Sequence, residues 1–233
     1  MPSQPVVVHV PVYIKLLFDL KVLYQILIMS EVNYTFRIII VGDTQCGKSS
    51  FCKTYQEEMP QLETASTIGV DFITKKLRIK DIPMKLHLWD TAGQEAFKAI
   101  ICSYFRDICG AIVLFDLTRY TTFKNVSKWI KDIKANNTCR HGHPILLVGN
   151  KKDSKNRGVS YQEAKEFAED NGLIYRETSN YEVSDVKNAV DGFLEEIFLM
   201  FENVECKGLR CNERPRGSII NLMKEDIKVN KCC

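Results

Sequence analysis

A doubly wound α/β domain, with helices on both faces of a mostly parallel six-stranded sheet, is the fold class this sequence predicts. Three observations predict it. The apolar run Phe36-Arg-Ile-Ile-Ile-Val41 passes through a glycine-bounded loop into helix-compatible sequence from Ser49 to Glu57. Strand-like and helix-like segments then alternate from Phe36 to about Phe201, the pattern of a parallel-type sheet covered on both sides. Two polar clusters, at Asp90 and at Asn150, stand at the ends of apolar strands.

The elements follow in order. After the first strand and helix, Asp71 to Lys80 and Met84 to Asp90 read as a hairpin joined at Asp81-Ile82-Pro83. Ala111 to Asp116 and Ile145 to Asn150 are short apolar runs of buried-strand type. Ser160-Tyr-Gln-Glu163 is a capping box that starts a helix with Ala164, Phe167 and Ala168 on one face, and Gly172 stops it. Ile174 to Thr178 is the last strand and Val183 to Phe201 the last helix. From Cys206 to Cys233 no periodicity is sustained, so this stretch reads as a mobile tail. The expected division is an N-terminal extension over 1–34, the α/β domain over 35–203 and the tail over 204–233. No internal repeat is present.

Composition bounds the function. A chain of 233 residues, 45% hydrophobic and 26% charged, suits one globular domain with tails. The net charge of +3 and the scattered basic residues argue against a nucleic-acid partner. The nine cysteines show no disulfide framework and no secretory signal precedes them, so reduced thiols are expected. Val6 to Met29 is strongly apolar, but Pro11, Lys15, Asp19 and Lys21 break it below the length of a spanning helix. Three readings fit: an interfacial membrane segment, an added helix on the domain, or an extension absent from the working protein. Met29, just before the first strand, would serve as a start, which favours the last.

The chemistry begins at Gly42-Asp-Thr-Gln-Cys-Gly47-Lys48-Ser49. Strand, glycine loop and helix in this order form a phosphate-binding P-loop. The glycines allow a tight turn in which backbone N–H groups of Asp43 to Ser50 converge on phosphate oxygens. Lys48 adds charge near the β- and γ-phosphates, and the Ser49 hydroxyl is suited to Mg²⁺. Trp89-Asp-Thr-Ala-Gly-Gln-Glu95 follows. There Asp90 is placed to hold Mg²⁺ through water, Gly93 to offer its N–H to a γ-phosphate, and Gln94 to orient an attacking water. Asn150-Lys-Lys-Asp153 is the third motif. Its Asp153 carboxylate matches the N1 and N2 donor edge of guanine, which adenine lacks, so the expected nucleotide is GTP or GDP. Glu177-Thr-Ser-Asn180 follows the next strand and completes a base pocket.

In combination these motifs resemble the Ras superfamily of small GTPases. Ile68-Gly-Val-Asp-Phe72, Lys85-Leu-His-Leu-Trp89, Ser103-Tyr-Phe-Arg106 and Val113-Leu-Phe-Asp-Leu-Thr118 are similar to segments of its Rab branch. The resemblance covers about Thr35 to Phe201 and the terminal Lys231-Cys232-Cys233. It implies that Thr67 ligates Mg²⁺ when γ-phosphate is present, Ser49 holds the metal in both states, and Gln94 is the catalytic residue. It implies nucleotide contacts from Asn150, Lys151, Asp153, Ser179, Asn180 and Tyr181. Ile68, Gly69, Phe72, Trp89 and Tyr104 would present the surface that effectors read. Cys232 and Cys233 would carry geranylgeranyl groups, and two lipid chains anchor a protein stably where one does not. The implied partners are an exchange factor, a GTPase-activating protein, effectors, the Rab escort protein and GDP dissociation inhibitor. The implied location is the cytoplasmic face of intracellular membranes, in exchange with the cytosol.

The chain also departs from the family pattern. Pro60 stands where an aromatic usually packs on guanine, and Thr64 replaces another frequent aromatic. Asn180 and Tyr181 replace a usual Ala-Lys pair, Gln45 a frequent glycine, and Ala96 and Lys98 frequent arginines. Nucleotide release faster than is usual in the family is the expectation from the aromatic contacts absent at Pro60 and Thr64. The expected function is a GTP-hydrolysing switch in vesicle traffic. The alternative is a non-cycling membrane adaptor that binds nucleotide weakly.

Overall fold

The computed structural model describes residues 34–60, 70–91, 101, 104–105, 108–136 and 143–203. Among the described residues ten elements follow in order: β1 (Tyr34–Val41), α1 (Lys48–Glu57), β2 (Val70–Ile79), β3 (Ile82–Thr91), β4 (Gly110–Asp116), α2 (Tyr120–Asn136), β5 (Ile145–Asn150), α3 (Tyr161–Asn171), β6 (Ile174–Thr178) and α4 (Val183–Asn203). The six strands form one sheet in the order β2-β3-β1-β4-β5-β6. β2 pairs antiparallel with β3, and every other neighbour pair is parallel.

Period-two alternation divides the apolar strand residues between two cores. Ile38, Ile40, Ile112, Leu114, Leu146 and Val148 face α1 and α4, where Phe51, Tyr55, Val190 and Phe193 complete one core. Ile39, Val41, Val113, Phe115 and Leu147 face the other way, onto α2 and α3 through Phe123, Trp129, Ile130 and Ala164. The central strands are therefore apolar on both faces, as a covered parallel sheet requires. Cys46, Cys52 and Cys109 are buried in the first of these cores and form no disulfide among the described residues.

The hairpin is tighter than the sequence suggests. Ile82 and Pro83 belong to β3, opposite Ile79 and Arg78, and the turn consists of Lys80 and Asp81 alone. Both turn residues have positive φ, 47° and 65°, the backbone of a type I′ turn. With Ile79 and Ile82 closing the turn, Pro83 falls at the next, non-hydrogen-bonded position, where its missing N–H costs nothing. Pairing with β1 starts one residue later, at Met84.

The helix boundaries have local causes. Ser160 Oγ accepts the Glu163 N–H at 3.1 Å, and Gly172 closes α3 with φ 66°. The Glu163 carboxylate accepts a bond from the Tyr120 hydroxyl at 2.7 Å and so links α3 to α2. Among the described residues no helix is long and apolar enough to cross a membrane.

Candidate functional site at the C-terminal edge of the sheet

The loop from β1 to α1 leaves the sheet where the chain connections diverge, between β3 on one side and β4 on the other. Backbone geometry shapes it. Gly42 has φ 146°, and a Cβ there would lie 2.1 Å from the Leu114 carbonyl oxygen of β4. Gly47 has φ 91°, and a Cβ there would lie 2.6 Å from the Asn150 side-chain nitrogen. Gln45 also takes a left-handed conformation, φ 66°, which gives a physical reason for glycine being frequent at that position. α1 begins at Gly47 without a side-chain cap and with no acid in its first turn, which leaves a positive helix end facing the loop.

Lys48 lies across this loop. Its Nζ donates to the Gly42 carbonyl at 2.8 Å and to the Asp43 carbonyl at 2.9 Å. The residue is only 5% exposed, and burial pulls its pKa down against the opposing attraction of Cys46, Asp90 and Asp43. Asp90, at the end of β3, is 6% exposed. Asp43 is held from α2, with Asn125 donating to Oδ2 at 2.8 Å and Trp129 Nε1 to Oδ1 at 2.9 Å.

The base-side loops close on the same structure. Asn150, fully buried at the end of β5, donates from Nδ2 to the Cys46 carbonyl at 2.8 Å and accepts from Thr178 Oγ1 at 3.3 Å. Ser179 Oγ donates to Asp153 Oδ1 at 2.5 Å and accepts the Tyr181 N–H at 3.2 Å. Asn180 Nδ2 donates to the Gly47 carbonyl at 3.0 Å. Tyr181 is about half exposed. Glu177 has a different engagement: its carboxylate pairs with the Arg157 guanidinium and accepts from the Tyr175 hydroxyl. Burial would raise the Glu177 pKa, and these bonds hold it below the ordinary value.

A node that sequence reasoning did not single out joins the loops. Asp116, 1% exposed at the end of β4, accepts from Thr118 N and Oγ1 on Oδ1. Arg119 and Lys151 contact its Oδ2, at 3.0 and 2.7 Å. Arg119 reaches on to the Thr44 carbonyl at 2.8 Å. Burial opposes ionisation of Asp116, but the bonds from Lys151 and Thr118 prevail and hold its pKa below the ordinary carboxylate value. Its signal in the sequence was a carboxylate closing an otherwise apolar strand.

Beside the site, Phe72 of β2 stacks on Trp89 of β3 with centroids 5.2 Å apart, and Trp89 contacts Tyr104 at 5.0 Å. Phe72 is 53% exposed, so these rings form a partly open aromatic face. Thr67, Ile68, Gly69, Gly93, Gln94, Cys232 and Cys233 lie outside the described residues, as do Thr64, Ala96 and Lys98.

The residues present suit a polyphosphate with a divalent cation. They supply an uncapped helix start, a buried ammonium, a buried carboxylate at a strand end and, in Ser49, a hydroxyl at the second position of α1. Among the described residues no group of three or more His, Cys, Asp or Glu could hold a metal by itself. One carboxylate and a hydroxyl, with phosphate oxygens completing the shell, is a magnesium type of coordination.

Comparison with known proteins agrees with this geometry. The Ras family profile matches residues 37–199. Ras-related protein Rab11B of Nicotiana tabacum is 38% identical over 212 residues, covering 87% of this chain and 95% of that protein. The chain belongs to the Ras family, in its Rab branch. Ras-related protein YPT3 of Nicotiana plumbaginifolia is 37% identical over 213 residues, and Ras-related protein RABA1c of Arabidopsis thaliana 36% over 211. Each of these also covers 87% of this chain and 95% of the relative. This Rab-branch chain is thus a small GTPase, a GTP-binding and GTP-hydrolysing switch of vesicle traffic. The relationships do not favour the weakly binding adaptor.

Proposed function

We propose that the nucleotide lies along the C-terminal edge of the sheet, phosphates on the β1–α1 loop and guanine between the β5 and β6 loops. The observation that carries this reading is the buried Lys48, whose ammonium lies across a loop that glycine shapes at both ends. In the bound state Lys48 would exchange its two carbonyl partners for β- and γ-phosphate oxygens. Backbone N–H groups from Asp43 to Ser50 would complete the cradle. Ser49, Asp90 and Thr67 would hold Mg²⁺, which neutralises charge on the phosphate oxygens when bound. Asp153, fixed by Ser179, would read the guanine edge, with Lys151 and Tyr181 flanking the base.

In hydrolysis Gln94 orients a water for in-line attack, the water oxygen bonds the γ-phosphorus, and the bond to the β–γ bridging oxygen breaks. GDP and phosphate leave. No side chain acts as nucleophile, so the protein contributes position and charge. Loss of the γ-phosphate frees Thr67 and Gly93, and the surface formed by Ile68, Gly69, Phe72, Trp89 and Tyr104 relaxes, releasing effectors. The exchange factor, the GTPase-activating protein, the escort protein and the dissociation inhibitor belong to the same reading. So does anchoring through Cys232 and Cys233 on the cytoplasmic face of an intracellular membrane.

Single-turnover phosphate release from GTP-loaded protein with Mg²⁺ tests the site. Slow hydrolysis that Gln94→Leu abolishes supports the assignment; hydrolysis unaffected by that substitution removes Gln94 from it.

A further inference from the structure

Asn180 stands where the family pattern has alanine, and its side chain makes a contact alanine cannot. Nδ2 donates to the Gly47 carbonyl at 3.0 Å, across 133 positions of sequence. The same carbonyl accepts the Phe51 N–H at 2.9 Å, the first bond of α1. One residue earlier, the Cys46 carbonyl accepts from Asn150 Nδ2 at 2.8 Å. Two amides, one from each base-side loop, therefore hold consecutive carbonyls of the phosphate loop. Both lie close against Gly47, where an added Cβ would be 2.6 and 2.9 Å from the two nitrogens.

Asn180 is tied at its backbone as well. Its carbonyl accepts from Thr54 Oγ1 at 3.3 Å, seven positions along α1 from Gly47. The base loop is thus fastened to α1 at the helix start and again two turns on. The side chain's Oδ1 is buried and has no hydrogen-bond partner among the described residues, so the Nδ2 bond sets its position.

We infer that Asn180 is a positioning residue for nucleotide retention. Its amide latches the start of α1 to the base loop, so that the phosphate and base subsites cannot separate independently. The inference rests on the guanine-nucleotide reading above. Where the aromatics absent at Pro60 and Thr64 are expected to speed release, Asn180 adds a link that works in the opposite direction. As a link between the base loop and the start of α1, it governs nucleotide release.

The test uses the full chain loaded with fluorescent GDP, with release followed by stopped flow in the wild type, Asn180→Ala, Asn180→Asp and Tyr55→Phe. Asn180→Asp keeps the shape but lacks the donor. Tyr55→Phe removes a bond of similar length, from the Tyr55 hydroxyl to Asp191 at 2.8 Å, which ties α1 to α4 away from the loop. The expected result is release about 5- to 10-fold faster in both Asn180 variants, the loss of one partly buried hydrogen bond. Tyr55→Phe, which leaves the loop contacts intact, releases GDP at the wild-type rate. Unchanged release from the Asn180 variants overturns the latch. Equal acceleration by Tyr55→Phe also overturns it, because any loosening of α1 would then suffice. A wild type that takes up no GDP overturns the guanine-nucleotide reading, and the latch with it.

Discussion

The phosphate loop and the base-side loops lie against each other but are held by different means. At Gly42 the backbone itself is the constraint, because φ 146° and approach to the Leu114 carbonyl exclude a side chain, and at Gly47 φ 91° disfavours one beside the Asn150 and Asn180 amides. On the base side the constraints are side-chain bonds, Ser179 to Asp153, Asn150 to Cys46 and Asn180 to Gly47. A backbone constraint admits one residue type, whereas a side-chain bond can be lost in one place and made in another. Of this chain's departures from the family pattern, Pro60, Asn180 and Tyr181 stand at the base side, while the phosphate loop keeps both glycines and differs at Gln45.

Gly42→Ala should break that contrast most severely. The new methyl would meet the β4 backbone, which cannot rotate away, and φ 146° strains any L side chain. Loss of roughly 3 kcal/mol or more of stability is expected, measured as a urea midpoint. A cost below about 1 kcal/mol would mean that the loop can move off β4 and that backbone does not define the phosphate end.

Asp116→Asn tests the node between the two regions and should come second. The carboxylate is buried, but Arg119 and Lys151 are both more than a third exposed, so solvent screens part of the attraction. A loss of about 2 kcal/mol is expected. The folded pKa of Asp116 lies below its unfolded value of about 3.9. Its contribution is therefore fully present above that pH and is lost as pH falls through the folded value. Urea midpoints from pH 7 to pH 3 should show the gap between wild type and Asp116→Asn narrowing below about pH 4. A constant gap would assign the effect to shape.

These differences also explain what was legible in the sequence. Glycine spacing and apolar runs report backbone constraints directly, so the strand–loop–helix unit and strands β4, β5 and β6 are readable within a residue or so. The hairpin is less so, because a proline at a non-hydrogen-bonded strand position reads like a turn residue. Long-range side-chain bonds leave almost no local signal. Nothing near Trp129 or Asn125 marks them as partners of Asp43, and nothing near Asn180 points to a carbonyl 133 positions away. Glu177 was legible as part of a motif but not in its direction, because Arg157 lies on a neighbouring loop.

Gln45→Gly carries the smallest expected effect and sharpens the comparison from the other side. Gln45 is the one non-glycine with positive φ between Gly42 and Gly47. A left-handed conformation costs an ordinary residue about 1 kcal/mol or more, and glycine removes that cost. Glycine also gives the unfolded chain more freedom, which offsets part of the gain. The net expectation is stabilisation of about 0.5 kcal/mol, a melting temperature higher by roughly 1–2 °C in a domain of this size. Because Lys48 bonds the carbonyls of Gly42 and Asp43 and not that of Gln45, nucleotide release should change little. A clear stabilisation with unchanged release would place backbone strain and nucleotide retention in separate parts of the loop. A large change in release would show that Gln45 contributes to the phosphate cradle through more than its backbone.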